Sequence, residues 1–501
     1  MSSESSSRRS FFKAGALAAG GALLRSAPAS AQLPKLPRRA APAFQLVQQQ
    51  EAPSKPASWA ATNNRLLRRA TYGPTPADVA AIKTLGYQGW LLQQLKWSRI
   101  PDLAVTTNVA TLYPVLVGTP DTIYTTDVTT ATAQLQQATL YRSAFSQRQL
   151  YERMVEFWSD HFNIYVGKVG FLKIIDDRDV IRKHALGRFG DLVKASAQSP
   201  AMLSYLDQTA SRVGRPNQNY ARELMELHTL GVDGGYTQED VAELSRVLTG
   251  WTIKGRGYFN FDPSGHDWGA KTVMGMTIPA GSVSQGQAGM QEGEKVIDML
   301  IAHPSTARFI ATKMLRWLLS SEPTDTQVNT IAGVFRSTGG DITAMVRAIL
   351  NDAWIAAAPA RYKRPYHYLV SAMRALSATV TSTDSVNRQL AAMGQSLFIW
   401  DTPDGYPDTI EYWSGGIAPR WLFANVIANY KTTAITVDHT PFFTGGAEGA
   451  MVAIEQRVFA GEMSPSMRAA IKAYLSAGTV NEARVRESLG LAIASSDFQW
   501  Y

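Results

Sequence analysis

A multi-helix globular domain, mainly α, with one small β-hairpin inserted near 255–282 is the fold predicted by this 501-residue sequence. Three observations carry that reading. Apolar residues recur at helical spacing through most of the chain. Several of those stretches open on Thr or Ser followed by Pro or an acidic residue, the signature of a capped helix start. Strand-like alternation is confined to GYFNF and TVMGMTI, on either side of a Gly- and Pro-containing turn. There is no internal repeat of fixed period.

Taken in order, the chain opens with Arg8 and Arg9 inside SRRSFFK, then the weakly apolar run AGALAAGGALL at 14–24 and the small-residue site Ala29-Ser30-Ala31. This is the order of a twin-arginine signal peptide, residues 1–31, and it predicts export of folded protein to a periplasmic or secreted location. A bilayer takes about 20 apolar residues to span, so the run is read as removed, with the mature chain starting near Gln32. Retention as an N-terminal tether is the alternative. Residues 32–62 are rich in Ala, Pro and Gln and are expected to be a disordered tether, because such a composition buries too little apolar area to offset ordering entropy.

Helical periodicity begins at Asn64. The next helix is signalled by Thr75 as N-cap, Pro76 at the first helical position and Asp78 three after the cap, with Gly86 as its stop. Further helices are expected at 130–162, 178–198, 217–230, 237–250, 293–302, 304–320, 324–336, 341–350, 366–378, 385–396 and 419–430. Another starts at Ser464-Pro465, and the last covers 481–496. No segment after the signal resembles a transmembrane helix.

The formal charge of +8 falls to +5 once residues 1–31, with Arg8, Arg9, Lys13 and Arg25 against Glu4, are removed. So small and dispersed an excess argues against nucleic acid. The chain has no cysteine, which excludes disulfides, thiolate metal sites and Cys nucleophiles together. Walker A, GxGxxG, GxSxG and HExxH motifs are all missing.

Four stretches could carry chemistry. On a helical wheel Leu150, Met154, Phe157 and His161 share one face, with Glu152, Glu156, Ser159 and Asp160 opposite, so His161 is expected to be buried, either as a core histidine or as a ligand or catalytic group. In NYARELMELHTLG, Glu223 falls within the arc of Tyr220, Leu224, Leu227 and Leu230, while His228 lies at its opposite border. A buried carboxylate is costly unless paired, so Glu223 is read either as neutralised by Arg222 or a distant cation, or as a ligand or general base. The turn SGHDWGAK offers His266, Asp267 and Lys271 on a glycine-flanked loop. The loop at 399–413, IWDTPDGYPDTIEYW, sets Asp401, Asp404, Asp408 and Glu411 among Trp400, Tyr406 and Trp413. Such a loop suits sugar stacking with carboxylates on hydroxyls, although aromatics also pin long loops to a body.

Several of these segments together resemble the DUF1800 family. The resemblance spans about 63–495 and rests on NRLLRRATYGPTPAD (64–78), FWSDHF (157–162), ARELMELHTLGVDGGYTQEDV (221–241), LTGW (248–251), HDWGAK (266–271), HPSTARFIATKM (303–314) and MGQSLF (393–398). After MGQSLF the family pattern is similar to PPNVxGWPGG, whereas this chain reads IWDTPDGYPDTIEYW. The resemblance implies that 63–501 is one exported helical domain, often encoded beside a DUF1501 protein, and it implies no reaction.

The expected function is an enzyme with a His/carboxylate site of His161, Glu223, His266, Asp267 and Lys271, acting on an envelope or polysaccharide-type substrate. Arg222, Trp400, Tyr406 and Trp413 would bind that substrate, and a divalent metal on His161, Glu223 and His266 is the candidate cofactor. The alternative is a non-catalytic envelope protein that binds polysaccharide or an exported partner such as a DUF1501 protein.

Overall fold

The first long helix shows how local sequence builds this fold. Thr75 accepts from the Asp78 amide while the Asp78 carboxylate accepts from the Thr75 amide, a reciprocal capping box, and Pro76 occupies the first turn. The helix Pro76–Leu95 then breaks at Gly86, where φ is 70°, and resumes at once. Gly86 therefore stops one helix and starts another, a conformation that an L side chain rarely adopts. Thr237 and Asp240 form the same box ahead of Gln238–Val247.

The computed structural model describes residues 59–380, 382, 384–429 and 435–501. The expected signal peptide and residues 32–58 of the expected tether lie outside them. All described residues fall within one unit, Lys55–Tyr501. Ordered packing begins earlier than expected. Trp59 is buried, accepts from Arg65 Nε through its carbonyl at 2.8 Å, and lies under the Arg68 guanidinium.

The domain is mainly α, as the periodicity predicts. The continuous helix expected over 130–162 is instead two, Val128–Phe145 and Gln149–His161. The break is held by Asp102, whose carboxylate accepts from Ser146 Oγ at 2.8 Å and from the Gln147 amide at 3.1 Å. Likewise 178–198 divides into a π-helix, Asp177–Arg182, and the helix Phe189–Ala197. The core runs through the domain, with Trp90, Trp158 and Trp251 among its largest fully buried side chains. Helix Pro304–Leu318 packs on Asp325–Thr338, and Ile417–Ala428 on Glu482–Ala494.

The single hairpin expected at 255–282 is two consecutive ones. β1 (Trp251–Lys254) pairs antiparallel with β2 (Tyr258–Phe261), Trp251 opposite Phe261; β3 (Lys271–Val273) pairs with β4 (Met276–Ile278), Lys271 opposite Ile278. The SGHDWGA stretch joins the two hairpins, where the alternation alone suggested the tip of one. A further short pair joins β5 (Thr379–Val380) to β6 (Ile435–Thr436). Among the described residues no helix is long and apolar enough to cross a membrane.

One wheel assignment is corrected. Glu152, placed on the polar side, is buried, because Arg182 of the π-helix meets it at 3.0 Å. A wheel sees only one helix, and this partner lies 30 residues on.

Candidate functional site

Helix Gln218–Glu223 is capped by Asn217, whose side-chain oxygen accepts from the Asn219 and Tyr220 amides. It runs directly into a π-helix, Leu224–Thr229, whose wider turn is held by Thr229 Oγ1 donating to the Leu224 carbonyl at 2.7 Å and by the Leu230 amide reaching Met225 at 2.8 Å. The extra residue per turn alters the wheel. His228, expected at the border, is buried, while Leu227, expected in the apolar arc, is half-exposed. π-turns of this kind are frequent at functional sites.

Glu223 stands at that junction, buried with 4 % of its surface exposed. Among the described residues its carboxylate makes no hydrogen bond or ion pair. Arg222, the expected neutraliser, is instead half-buried and donates to Gln238 Oε1 at 2.8 Å. Burial, then the neighbouring Glu226 charge, raise Glu223 to about 7, with Arg222 opposing and Asp404 adding to the rise. It is a carboxyl poised near neutral pH.

Asp404 is delivered by the aromatic loop, which is pinned at many points. Asn163 Nδ2 donates to the carbonyls of Trp400 (3.0 Å) and Thr402 (2.7 Å), Tyr205 donates to the Asp401 carbonyl (2.9 Å), and both Asp408 oxygens accept from Arg361 Nη2 (2.9 Å). Gly405, at φ 77°, lies so close to the end of helix Gln149–His161 that a Cβ there would sit 2.2 Å from the Asp160 carbonyl oxygen. Asp404 itself is exposed and accepts from Trp400 Nε1 (3.1 Å) and Thr402 Oγ1 (2.5 Å). It acts electrostatically on Glu223, on Tyr205 and on Lys313.

Lys313, from helix Pro304–Leu318, is a residue that the sequence reading did not single out. Its Nζ lies over the Phe309 ring at 5.5 Å and makes no hydrogen bond or ion pair among the described residues. Burial lowers it to about 8 against the attraction of Asp160, Asp404 and Asp408. Lys313 thus feels the end of Gln149–His161 and the loop at 400–408, whose Asp404 also acts on Glu223 at the end of Gln218–Glu223. The only sequence signal for Lys313 was its place inside HPSTARFIATKM.

The other expected residues are placed as follows. Trp400 is half-buried beside Tyr406 at 5.0 Å; Tyr406 donates to the Ser396 carbonyl, and buried Trp413 donates to the Pro407 carbonyl at 2.7 Å. Tyr406 and Trp413 thus pin the loop, and the Arg364 guanidinium lies over both rings. His161 is buried among Phe157, Trp158, Phe162 and Phe309, with Nε2 donating to the His228 carbonyl at 3.2 Å. Burial first, then Lys313 and His228, hold it well below the ordinary histidine range, so it is neutral.

His266, Asp267 and Lys271 form a separate network. Glu292 Oε2 meets His266 Nε2 at 3.2 Å and Lys271 Nζ at 2.7 Å; His266 Nδ1 is 2.8 Å from the Thr249 carbonyl, and Asp267 pairs with Arg246 at 2.8 Å. The three residues expected to share a metal are therefore not gathered: His266 is held by Glu292 and Thr249, His161 by aromatic rings, and Glu223 by neither group. Among the described residues no group of three His, Asp or Glu side chains is arranged to hold a metal ion. Because Lys271 and His266 are both buried against Glu292, Lys271→Met is expected to destabilise the fold by about 2–4 kcal/mol in urea unfolding, through an uncompensated Glu292 charge. It should leave the titration of Glu223 unchanged.

A mainly helical domain with small antiparallel hairpins is the class of protein that the fold defines. Across residues 65–500 the chain matches the model of the DUF1800 family, described as a protein of unknown function. The chain belongs to that family. Comparison with curated proteins and with solved structures gives no match.

Proposed function

We propose that this protein is an exported acid/base enzyme that cleaves a polysaccharide-type substrate of the cell envelope, with Glu223 as general acid and Asp404 as the second carboxylate. The observation that carries this reading is a buried, unpaired carboxyl raised to about 7, in part by the charge of an exposed acid on an aromatic loop. Two carboxyl groups whose surroundings separate their roles are the usual requirement for glycosidic cleavage. Glu223 donates its proton to the glycosidic oxygen as the bond to the sugar carbon breaks. Asp404 takes a proton from the water that supplies the new hydroxyl. Trp400 and the half-exposed Tyr412, 6.0 Å apart, offer stacking faces, and Lys313 an ammonium for hydroxyl or acidic groups. SRRSFFK and the following apolar run support twin-arginine export and a periplasmic or secreted location.

Release of reducing ends from a panel of soluble envelope and plant glycans tests the reading. Glu223→Gln should lower kcat by about 10²–10⁴ with the fold intact, Asp404→Asn should do likewise, and wild-type activity should fall as pH rises above about 7. Full activity in Glu223→Gln would sink the assignment.

One observation favours the binding reading. Ile417, Trp421 and Leu422 of helix Ile417–Ala428 are 47 %, 54 % and 61 % exposed, an apolar surface suited to an exported partner such as a DUF1501 protein. Glycan binding without bond cleavage would favour it over catalysis.

A further inference from the structure

One surface helix that follows the aromatic loop is apolar on both faces. Helix Ile417–Ala428 contains a single charged residue, Arg420, and that side chain is buried, donating to Gln499 Oε1 and to the Lys363 carbonyl, both at 2.8 Å. Phe423, Ala424 and Ile427 complete the buried inner face. On the outer face Ile417 and Trp421 stand one turn apart with Leu422 beside them, and all three are exposed. A surface helix ordinarily turns charged and polar residues outward, and one that is apolar all round is ordinarily buried. This helix has the composition of a covered element and an uncovered outer face.

The face continues into the proposed site. Ser414, Gly415 and Gly416 join the helix to the short helix Ile410–Trp413. There the exposed Tyr412 lies 6.0 Å from Trp400, edge to face, and Trp400 Nε1 donates to the Asp404 carboxylate at 3.1 Å. Followed back from Leu422 to Asp404, the exposed side chains change from purely apolar, through Trp and Tyr with their polar tips, to carboxylates. Glu411, next to Tyr412, is the first exposed charge on that path. The same order runs across a membrane interface, from hydrocarbon through an aromatic belt to hydrated headgroups.

Hydrogen bonding narrows the choice of occupant. Protein interfaces carry about one hydrogen bond per 100–200 Å² and a polar rim, whereas the outward side chains from Ile417 to Leu422 offer one donor, the Trp421 indole. Asn425, the next outward polar residue, already spends Nδ2 on the Trp421 carbonyl at 3.1 Å. A second copy of the chain would bring the same shortage. A bilayer asks for no such contacts and takes Trp and Tyr at its boundary. We infer that this face docks on the surface of a lipid bilayer, with Ile417, Trp421 and Leu422 below the headgroups and Tyr412 and Trp400 at their level. The site of Glu223 and Asp404 would then meet glycan carried on lipid, a step that rests on the acid/base reading above, as the docking itself does not.

Because the chain has no cysteine, Leu422→Cys gives the full chain one attachment point for an environment-sensitive fluorophore. The probe is a vesicle of phosphatidylethanolamine with a minority of phosphatidylglycerol. Emission from 422 should shift to the blue and brighten severalfold, and lipids brominated near the headgroup end of their chains should quench it. Added salt should not reverse the change, since the outer face of the helix holds no cation. The label reports on residue 422 itself, so binding through another segment does not mimic the result. A label at Val283→Cys, equally exposed but on a segment packed against helix Met290–Ala302, should stay in water. Trp421→Glu and Ile417→Glu, both at solvent-facing positions that leave the core intact, should each lower vesicle partition at least about tenfold. Water-like emission from 422 with vesicles present, or equal immersion of 283, would overturn the inference. So would a blue shift without lipid that grows with protein concentration, which would assign the face to a second copy. Glycan cleavage without immersion would discard the docking and keep the acid/base reading; immersion without cleavage of any soluble or vesicle-borne glycan would do the reverse.

Discussion

Arg182→Leu is expected to destabilise the protein by about 3–5 kcal/mol, because it strands two buried carboxylates at once. Arg182 donates from Nη1 to both Glu152 oxygens at 3.0 and 3.1 Å and from Nε to Asp177 at 2.9 Å. The Glu152 and Asp177 side chains are only 5 % and 3 % exposed. Burial disfavours the guanidinium, yet the two carboxylates hold its pKa well above the ordinary arginine value. Leucine would leave both carboxylates buried without that cation, at the junction of helix Gln149–His161 and the π-helix Asp177–Arg182. Arg142 is near enough to feel both acids but forms no ion pair with them, so it softens the loss without replacing the contact. Urea unfolding with linear extrapolation measures the change. A loss under about 1 kcal/mol would mean that the triad contributes little. Adding Glu152→Gln to Arg182→Leu should recover part of the loss, since one of the stranded charges is then removed.

Gly405→Ala is expected to dislodge the loop at 400–408 and with it the proposed chemistry. Two effects combine. A φ of 77° disfavours any L side chain, and the new Cβ would lie 2.2 Å from the Asp160 carbonyl, a backbone atom that cannot swing aside. The loop must lift, carrying Asp404 away from Glu223 and weakening the Asn163 and Tyr205 contacts. Strain of this kind costs on the order of 1–3 kcal/mol, and misplacing a catalytic group by about 1 Å lowers rate by about 10²-fold. Hydrogen exchange across 400–408 should quicken while exchange in Pro76–Leu95 is unchanged. Unaltered exchange and activity would show that the loop tolerates the displacement.

Much of the frame was legible because its signals are local. The capping boxes at Thr75 and Thr237, the Ser464 cap and the hairpin strands within 251–278 all arise within a few residues. Glu223 could be singled out for the same reason, as a carboxylate falling in an apolar arc. What stayed hidden depends on distant partners or on backbone irregularity. The π-turn at Leu224–Thr229 moves His228 inward in a way no regular wheel reproduces. Asp102 breaks the expected long helix from 44 residues away, and Arg182 draws Glu152 into the core. Asp404 acts on both Glu223 and Lys313 only through tertiary packing, and Lys313 reads in sequence as an ordinary helix lysine. His266, Asp267 and Lys271 looked reactive as an isolated turn, but Glu292 and Arg246, from other segments, engage them.

The claim on which the functional account turns is that Glu223 keeps its proton close to neutral pH. In the unfolded chain it ionises near 4.5, and in the folded protein near 7. Between those values the folded state holds a proton that the unfolded state has lost, so this group's contribution to stability declines as pH rises through that window. The full difference approaches about 3 kcal/mol above pH 7. Glu223→Gln has no such proton. The measurement is therefore the unfolding free energy of wild type and Glu223→Gln from pH 4 to 9, with difference infrared spectra following the carboxyl. The account predicts that the variant gains on wild type between about pH 4.5 and 7 and that a carboxyl band titrating near 7 is missing from it. Parallel stability curves, with Glu223 titrating as an ordinary exposed carboxylate, would contradict it.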